Sequence, residues 1–349
     1  MKILAIDLGK SKMVGCMYDT ETHEHRFDSA ALDKGTLRVA LEAERPDRVV
    51  IEVGSSAGWI GDLIREAGIE LQVANPSHEA WRWRNVKRKT DRLDALKLAQ
   101  LSASDQLPQV YMPARNVRQW RSLIHYRQRL VTRRTAAKNR IRSILEVEGI
   151  ATLPGAKAWT HSGLASLRAK ACSWEETAAE DLWRGELWEE LDQFEHLSTA
   201  LKRVEGCLER LAAGDARVKQ LQTIPGVGPR LAEAVVALVD DPHRFRTGKQ
   251  VASYLGLVPR QYQSGQMDRQ GRISGQGDRR VRALLIEVSW IGQRYNPWMR
   301  ETFERICGGS RTRRKIAVVA VARRLVIRCW AMLRDHTKWS PPPPRARAA

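Results

Sequence analysis

The chain has 349 residues, with 59 Lys and Arg against 40 Asp and Glu, a formal charge of +19 and a pI near 10.2. So basic a balance points to a polyanionic partner, nucleic acid ahead of an anionic membrane surface. The length suits two sizeable cores. There is no apolar run of about 18 residues to span a membrane and no signal-peptide pattern at the N-terminus. Cys16, Cys172, Cys207, Cys307 and Cys329 are scattered without C-x-x-C spacing. They read as reduced, packed thiols of a cytoplasmic protein, not as zinc ligands or a disulfide framework.

In chain order, residues 1–112 alternate short apolar runs with helical patterns. "KILAI", "RVVIEV" and "LQVAN" read as strands, "MVGCMYD" and "HEHRFD" as a hairpin after the first, and "GWIGDLIREAG" as a crossover helix closed by Gly68. This half is α/β. Pro108 and Pro113 bracket a boundary. Residues 113–215 predict two long helices, near 115–150 and 180–213, that form an antiparallel coiled-coil hairpin or pair with another subunit. Between them lies a less periodic insert. The first helix carries Arg118, Arg121, Arg129, Arg133, Arg140 and Arg142 with few acids, a face suited to phosphates.

A third unit, 216–335, is mostly helical. Its turn Ile224-Pro225-Gly226-Val227-Gly228 before a helix resembles a helix-hairpin-helix, in which Gly226 and Gly228 let backbone N–H groups approach a phosphate. After "GLVPRQYQSGQMDRQGRISGQGDRRVRALLIEVSW" a basic, Gly-rich loop and then a helix are expected, and residues 336–349 are expected to be a disordered tail. Most of the twelve Trp residues, at helical spacing with Leu and Ile, read as packing. Trp81 and Trp83 alternate with Arg82 and Arg84 ahead of Lys87, Arg88 and Lys89, and are candidates for stacking on unpaired bases.

Four acids carry the chemistry. Asp7 and Glu52 each end a buried strand, and Asp91 and Asp94 lie one turn apart at the start of a helix. Carboxylates are costly in such places unless a cation offsets them. Two-metal phosphoryl transfer takes three or four carboxylates from separate elements, and Mg²⁺, with Mn²⁺ as a substitute, keeps oxygen ligands and needs no His or Cys. An RNase H-like fold supplies this arrangement. Taken one at a time, the acids could equally cap helices or end strands. "AIDLGKSK" also suits the first phosphate loop of an actin-like sugar kinase, but no second Asp-x-Gly loop follows residue 110.

The joint pattern "IDLGKSK", "IEVGS", Asn75-Pro76, "KTDRLDALKLA", "IPGVG", "YLGLVPRQYQSG" and "GRISGQGDRRVRALL" resembles the DEDD-type insertion-sequence transposases over almost the whole chain. These are site-specific DNA recombinases with a RuvC-like N-terminal domain. The resemblance implies that Asp7, Glu52, Asp91 and Asp94 are the four metal-binding acids and that Ser264 is the catalytic serine. That serine attacks a DNA phosphodiester to give a covalent phosphoserine link. It further implies a structured bridge RNA that pairs with donor and target DNA, and a homo-oligomer, dimer or tetramer, whose sites combine acids and serine from different subunits. Lys87, Arg88, Lys89, Arg260, Arg269, Arg272, Arg279 and Arg280 are expected on the nucleic-acid backbone. The chain departs from the usual pattern at Val53-Gly54-Ser55, and at Ser274-Gly275-Gln276-Gly277, where relatives carry Ser-Lys-x-Gly. Two other readings remain: a RuvC-like junction endonuclease that uses the same acids with water and no covalent step, and a nucleic-acid-binding protein without catalysis.

Overall fold

A computed structural model describes residues 1–75, 90–265 and 267–341. Chain contacts divide it into two units, Met1–Arg118 and Gln119–Ala349. The second unit thus joins the long helices to the C-terminal region, which the sequence pattern had set apart.

The first unit is built on strands β1 (Lys2–Leu8), β2 (Lys12–Asp19) and β3 (His25–Ala31), helix α1 (Lys34–Glu44), β4 (Arg48–Glu52), α2 (Ala57–Glu66), β5 (Glu70–Ala74) and α3 (Asp91–Ala103). The sheet order is β3-β2-β1-β4-β5, antiparallel from β3 to β1 and parallel from β1 to β5, as an RNase H-like fold requires. The β1–β2 turn is tight. Gly9 N–H donates to the Lys12 carbonyl at 3.1 Å, and a Cβ on Gly9 would lie 2.7 Å from that oxygen.

Side chains alternate across β1. Leu4 and Ile6 join Leu37 and Leu41 of α1 and Ile60 and Ile64 of α2 on one face. Ile3 and Ala5 join Cys16, Tyr18 and Val50 under Ala95, Leu98 and Ala99 of α3 on the other. The crossover helix α2 ends as expected at Gly68, in the left-handed region at φ +72°. Helix α1, capped by Asp33 accepting from Thr36 N–H, was not legible, because only Leu37 and Leu41 mark its buried side. Residues 108–110, placed at a boundary from the prolines, extend beside β5: Asn75 N–H bonds the Pro108 carbonyl and Val110 N–H the Val73 carbonyl.

Helix α4 (Arg115–Val147) begins in the first unit and continues into the second. There it packs against α6 (Leu182–Ala213) as an antiparallel pair within one chain. Leu130 meets Leu197 and Leu201, and Ile141 and Leu145 meet Leu187 and Leu191. Arg127 bonds Glu205, and Arg140 bonds Glu186. The insert is packed too, through α5 (His161–Arg168), Leu167 and Ala171, with the Trp159 ring tilted against Phe194 at 5.2 Å between centroids.

The remainder is α7 (Ala216–Leu221), α8 (Pro229–Val239), α9 (Gly248–Tyr254), the hairpin β6 (Pro259–Ser264) and β7 (Met267–Ile273), then α10 (Arg279–Ile291), α11 (Pro297–Cys307) and α12 (Arg314–Asp335). The sequence pattern had not announced this hairpin, in which Tyr262 pairs with Arg269 and Gln263 with Asp268. The tail also differs from expectation. Trp339 N–H donates to Thr223 Oγ1 and its ring packs on Trp298, so the chain is held to that point, while residues 342–349 lie outside the described range.

Among the described residues no disulfide forms. Burial pushes the Cys16 thiol up to about 11 and Cys329 to about 12, so neither is a ready nucleophile. No helix there is long and apolar enough to cross a membrane. Leu98 has no exposed surface and anchors α3 to the sheet. Leu98→Ala is expected to cost about 2–5 kcal/mol in urea unfolding of the first unit.

Candidate active site

Asp7 and Glu52 follow directly from the alternation. Asp7 shares the side of β1 that carries Ile3 and Ala5, and Glu52 shares the side of β4 that carries Val50, so both face α3. The parallel register pairs Ile6 with Ile51, which leaves Asp7 and Glu52 side by side at the C-terminal ends of neighbouring strands, about 4.8 Å apart along the sheet.

Helix α3 brings in the other two acids. The Arg48 guanidinium at the start of β4 donates to the Ser102 carbonyl and hydroxyl, each at 3.3 Å, and Ser102 Oγ donates to Gln72 Oε1 at 2.8 Å. These bonds fix the C-terminal turn of α3 at the opening end of β4. Its first turn then reaches toward the end that carries Glu52 and Asp7. Thr90 performs the capping, its hydroxyl accepting from Leu93 N–H, so Asp91 does not. Asp94 is 7% exposed and lies one turn before Leu98 on the docked face, whereas Asp91 is exposed. The positive end of the helix favours both carboxylates.

These donors are all hard oxygen ligands, the type a divalent cation takes. Three of the four belong to one side of the sheet. Among the described residues, however, no three His, Cys, Asp or Glu side chains meet closely enough to enclose an ion. Lys87, Arg88, Lys89, Trp81 and Trp83 lie outside the described residues.

Ser264 ends β6, opposite Met267, and Gly265 after it takes φ +55°. Almost every residue of β6 is exposed. The hairpin is held at its base. Arg282, 9% exposed, donates to the carbonyls of Leu255 at 2.8 Å, Gly275 at 2.9 Å and Gln276 at 2.7 Å. Gly277, at φ +70°, lies so close to the Tyr254 carbonyl that a Cβ would stand 2.0 Å from its oxygen. Arg282 was missed by sequence reasoning. Its signal was there: it falls on the stripe Val281, Leu285, Ser289 that α10 buries.

A second missed pair, His125 and Asp278, joins α4 to this base. Asp278 accepts from His125 Nε2 and caps α10 by accepting from Arg280 and Val281 N–H. Burial alone would raise its carboxyl, but the His125 hydrogen bond and charge, with the two backbone N–H groups, outweigh it and hold the group down at about 2. Glu233 on α8 is the opposite case. Burial raises its carboxyl against the opposing pull of Arg230, which bonds one oxygen at 3.2 Å, and the other oxygen has no partner among the described residues.

Several arginines expected on phosphates have structural partners. Arg118 donates to Asp62 Oδ2 at 2.6 Å and to the Gly58 and Pro113 carbonyls. Arg121 donates to the last carbonyls of α8, at Ala237 and Leu238, and Arg140 bonds Glu186. Arg133 is exposed on α4, and Arg269, Arg272 and Arg279 are exposed around the hairpin and the start of α10. Arg260 bonds the Ser274 carbonyl, and Arg280 is half-buried. In the turn before α8, Gly226 takes φ +90° and packs on Gly292, where a Cβ would stand 3.0 Å from its Cα. Gly228 caps the helix.

Because the Asp278 carboxyl lies below its unfolded value of about 3.9, the stability it contributes is complete above roughly pH 4 and is lost as pH falls through about 2. Asp278→Asn is expected to remove about 2 kcal/mol at pH 7 and to flatten the acid limb of urea-unfolding stability between those pH values.

Comparison with known proteins accounts for both units. Residues 4–148 match the family model "DEDD_Tnp_IS110: Transposase", and residues 218–304 match "Transposase IS116/IS110/IS902 family". The chain is 31% identical to the "Probable family 20 transposase" of Pseudomonas aeruginosa, across 98% of this chain and all of that one. It is 30% identical to the "Transposase for insertion sequence element IS1111A" of Coxiella burnetii, across 82% and 76% of the two chains. Among solved structures, Thermus thermophilus RuvC in complex with a Holliday junction substrate aligns at 14% identity over 32% of this chain and all of that one, with a TM-score of 0.24. The chain belongs to the DEDD-type IS110 family of transposases, enzymes that act on DNA in transposition.

Proposed function

We propose that this transposase cleaves and rejoins DNA strands to excise and insert a mobile element through Ser264, assisted by Asp7, Glu52, Asp91 and Asp94. The observation that carries the reading is the convergence of separate elements on one side of the sheet. Asp7 and Glu52 adjoin at strand ends, and the docked α3 presents buried Asp94 beside exposed Asp91. Two adjacent strand-end carboxylates and a third that is nine-tenths buried bring together hard oxygen donors of the kind a divalent cation takes. Mg²⁺, or Mn²⁺ in its place, would be held by these oxygens and would stabilise charge on the phosphate oxygens.

Ser264 Oγ is the nucleophile in this reading. It gives up its hydroxyl proton as it forms an ester to the phosphorus, the bond to the departing strand oxygen breaks, and that oxygen takes up a proton. Exposure at the tip of a two-stranded hairpin supports the role, since a duplex can reach the tip without displacing packed side chains. Arg282 and the glycines of the Ser274–Gly277 loop hold the base of the hairpin, and Arg269, Arg272, Arg279 and Arg280 cover the nucleic-acid backbone in place of the Lys that relatives carry in that loop. Exposed Arg133, Arg269, Arg272 and Arg279 contact backbone in this account and carry no sequence information. Sequence choice belongs to a bridge RNA that pairs with donor and target DNA, with acids and serine supplied by different subunits of a dimer or tetramer.

Ser264→Ala is expected to abolish the protein–DNA adduct seen after denaturing electrophoresis of a reaction with an element-end duplex, with thermal unfolding unchanged. Undiminished adduct would remove the serine from its role, and cleaved DNA with no adduct in the parent enzyme would favour hydrolysis by water in the manner of a junction endonuclease. Asp94→Asn is expected to weaken Mn²⁺ binding about tenfold or more, read by titration calorimetry without DNA. Unaltered binding would place the ion elsewhere.

A further inference from the structure

The C-terminal end of α10, the turn Gly292–Tyr295 and the loop that leads into α12 form a surface used neither by the four acids nor by Ser264. Four large apolar side chains stand out on it: Trp290 is 38% exposed, Ile291 48%, Tyr295 63% and Ile316 62%. The Trp290 ring is held between Phe303, at 5.6 Å between centroids, and the Arg314 guanidinium, 5.9 Å from its centroid. In the same stretch of chain Arg294, Arg300, Arg311, Arg313, Arg314 and Lys315 are all exposed, and none of them makes an ion pair among the described residues. The acids of the same stretch are Glu287, Glu301 and Glu304.

The turn that presents Tyr295 is rigid. Asn296, 1% exposed, accepts from Trp298 and Met299 N–H and donates from Nδ2 to the Pro225 carbonyl at 3.2 Å. Arg300 Nε donates to the Gln293 carbonyl at 3.0 Å. Gly292 carries the turn against Gly226. A solvated charged face has no use for exposed Trp, Tyr and Ile, and an apolar protein-docking face is weakened by this many unpaired cations. One ligand takes both. A strand with unpaired bases offers phosphates to arginine and lysine and flat base faces to aromatic rings, while a duplex keeps its base faces inside the stack.

We propose that this surface binds single-stranded nucleic acid, with a base stacked on the exposed ring of Tyr295 and with the backbone neutralised by Arg294, Arg311, Arg313 and Lys315. The proposal rests on reading the chain as an enzyme that handles nucleic acid, but not on Ser264 or the acids. The test therefore measures binding without cleavage, on full-length protein carrying Ser264→Ala. Fluorescence anisotropy with oligo(dT), oligo(U) and a duplex of equal length would compare Tyr295→Ala and Tyr295→Phe. Tyr295→Ala is expected to weaken single-strand binding about tenfold and to leave duplex binding within about twofold, while Tyr295→Phe, which keeps the ring, stays close to the parent. Loss on oligo(dT) alone assigns the surface to a DNA strand, and loss on oligo(U) alone to RNA; both support it. Ultraviolet crosslinking of the same oligonucleotides is expected to label peptides within 290–300. Unchanged single-strand affinity, an equal loss on duplex, or a shift in sedimentation without a change in affinity would each overturn the proposal.

Discussion

The N-terminal unit depends on one docking event, the seating of α3 on the face of β1 that bears Ile3, Ala5 and Asp7. Without that helix the face is an apolar surface ending in two carboxylates. With it, the apolar part is covered by Ala95, Leu98 and Ala99, and the carboxylates gain acidic neighbours from the first turn. Hydrophobic contact alone fixes a helix on a sheet only loosely along its axis. The hydrogen bonds from Arg48 to Ser102, and from Ser102 to Gln72, set where the helix stops and so where Asp94 falls. Ser102 and Gln72 are buried polar groups that satisfy each other, which makes a slip of the helix expensive in unmade bonds. The chemistry at one end of α3 is thus governed by a polar lock at the other.

Much of this was legible in the sequence, for a definite reason. Apolar runs with period two and long helices with three- and four-residue steps announce themselves. The strands ending at Leu8 and Glu52, the crossover helix closed by Gly68 and the two long helices lie where the pattern put them. The short helix Lys34–Glu44 escaped because two leucines make too faint a stripe. The hairpin that carries Ser264 escaped because its residues are nearly all polar, so alternation has nothing to reveal, and pairing is written only in its register.

The arginines show where composition misleads. A helix face crowded with guanidinium groups reads as an interface for phosphates, and Arg133 is exposed as that reading needs. Arg118 and Arg121, however, occupy the terminal carbonyls and a carboxylate of neighbouring elements, and Arg140 faces Glu186 across the helix pair. Guanidinium groups, with five donors in a planar fork, suit such anchoring as well as they suit phosphate. Partner carbonyls come from distant parts of the chain, such as Ala237 for Arg121, so no local pattern can distinguish the two uses. Arg282 is the exception, since its place on an apolar stripe marks it as an inward-facing donor.

The hairpin of residues 259–273 has a further consequence for motion. It is a ribbon of two strands without an apolar layer of its own, and such ribbons are marginally stable in isolation. Its base is tied to the helical body by Arg282, by the tightly packed Gly256 and Gly277, and by the Asp278 cap, whereas its far end meets mostly solvent. The ladder bonds nearest Ser264 therefore belong to the low end of the protein's opening energies, and those nearest Ile273 to the high end. Amide hydrogens along this ribbon should exchange in a gradient, fastest at the tip and slowest at the root, in a unit whose surrounding helices exchange far more slowly. A serine carried in this way can be reshaped by whatever it meets while its point of attachment stays fixed.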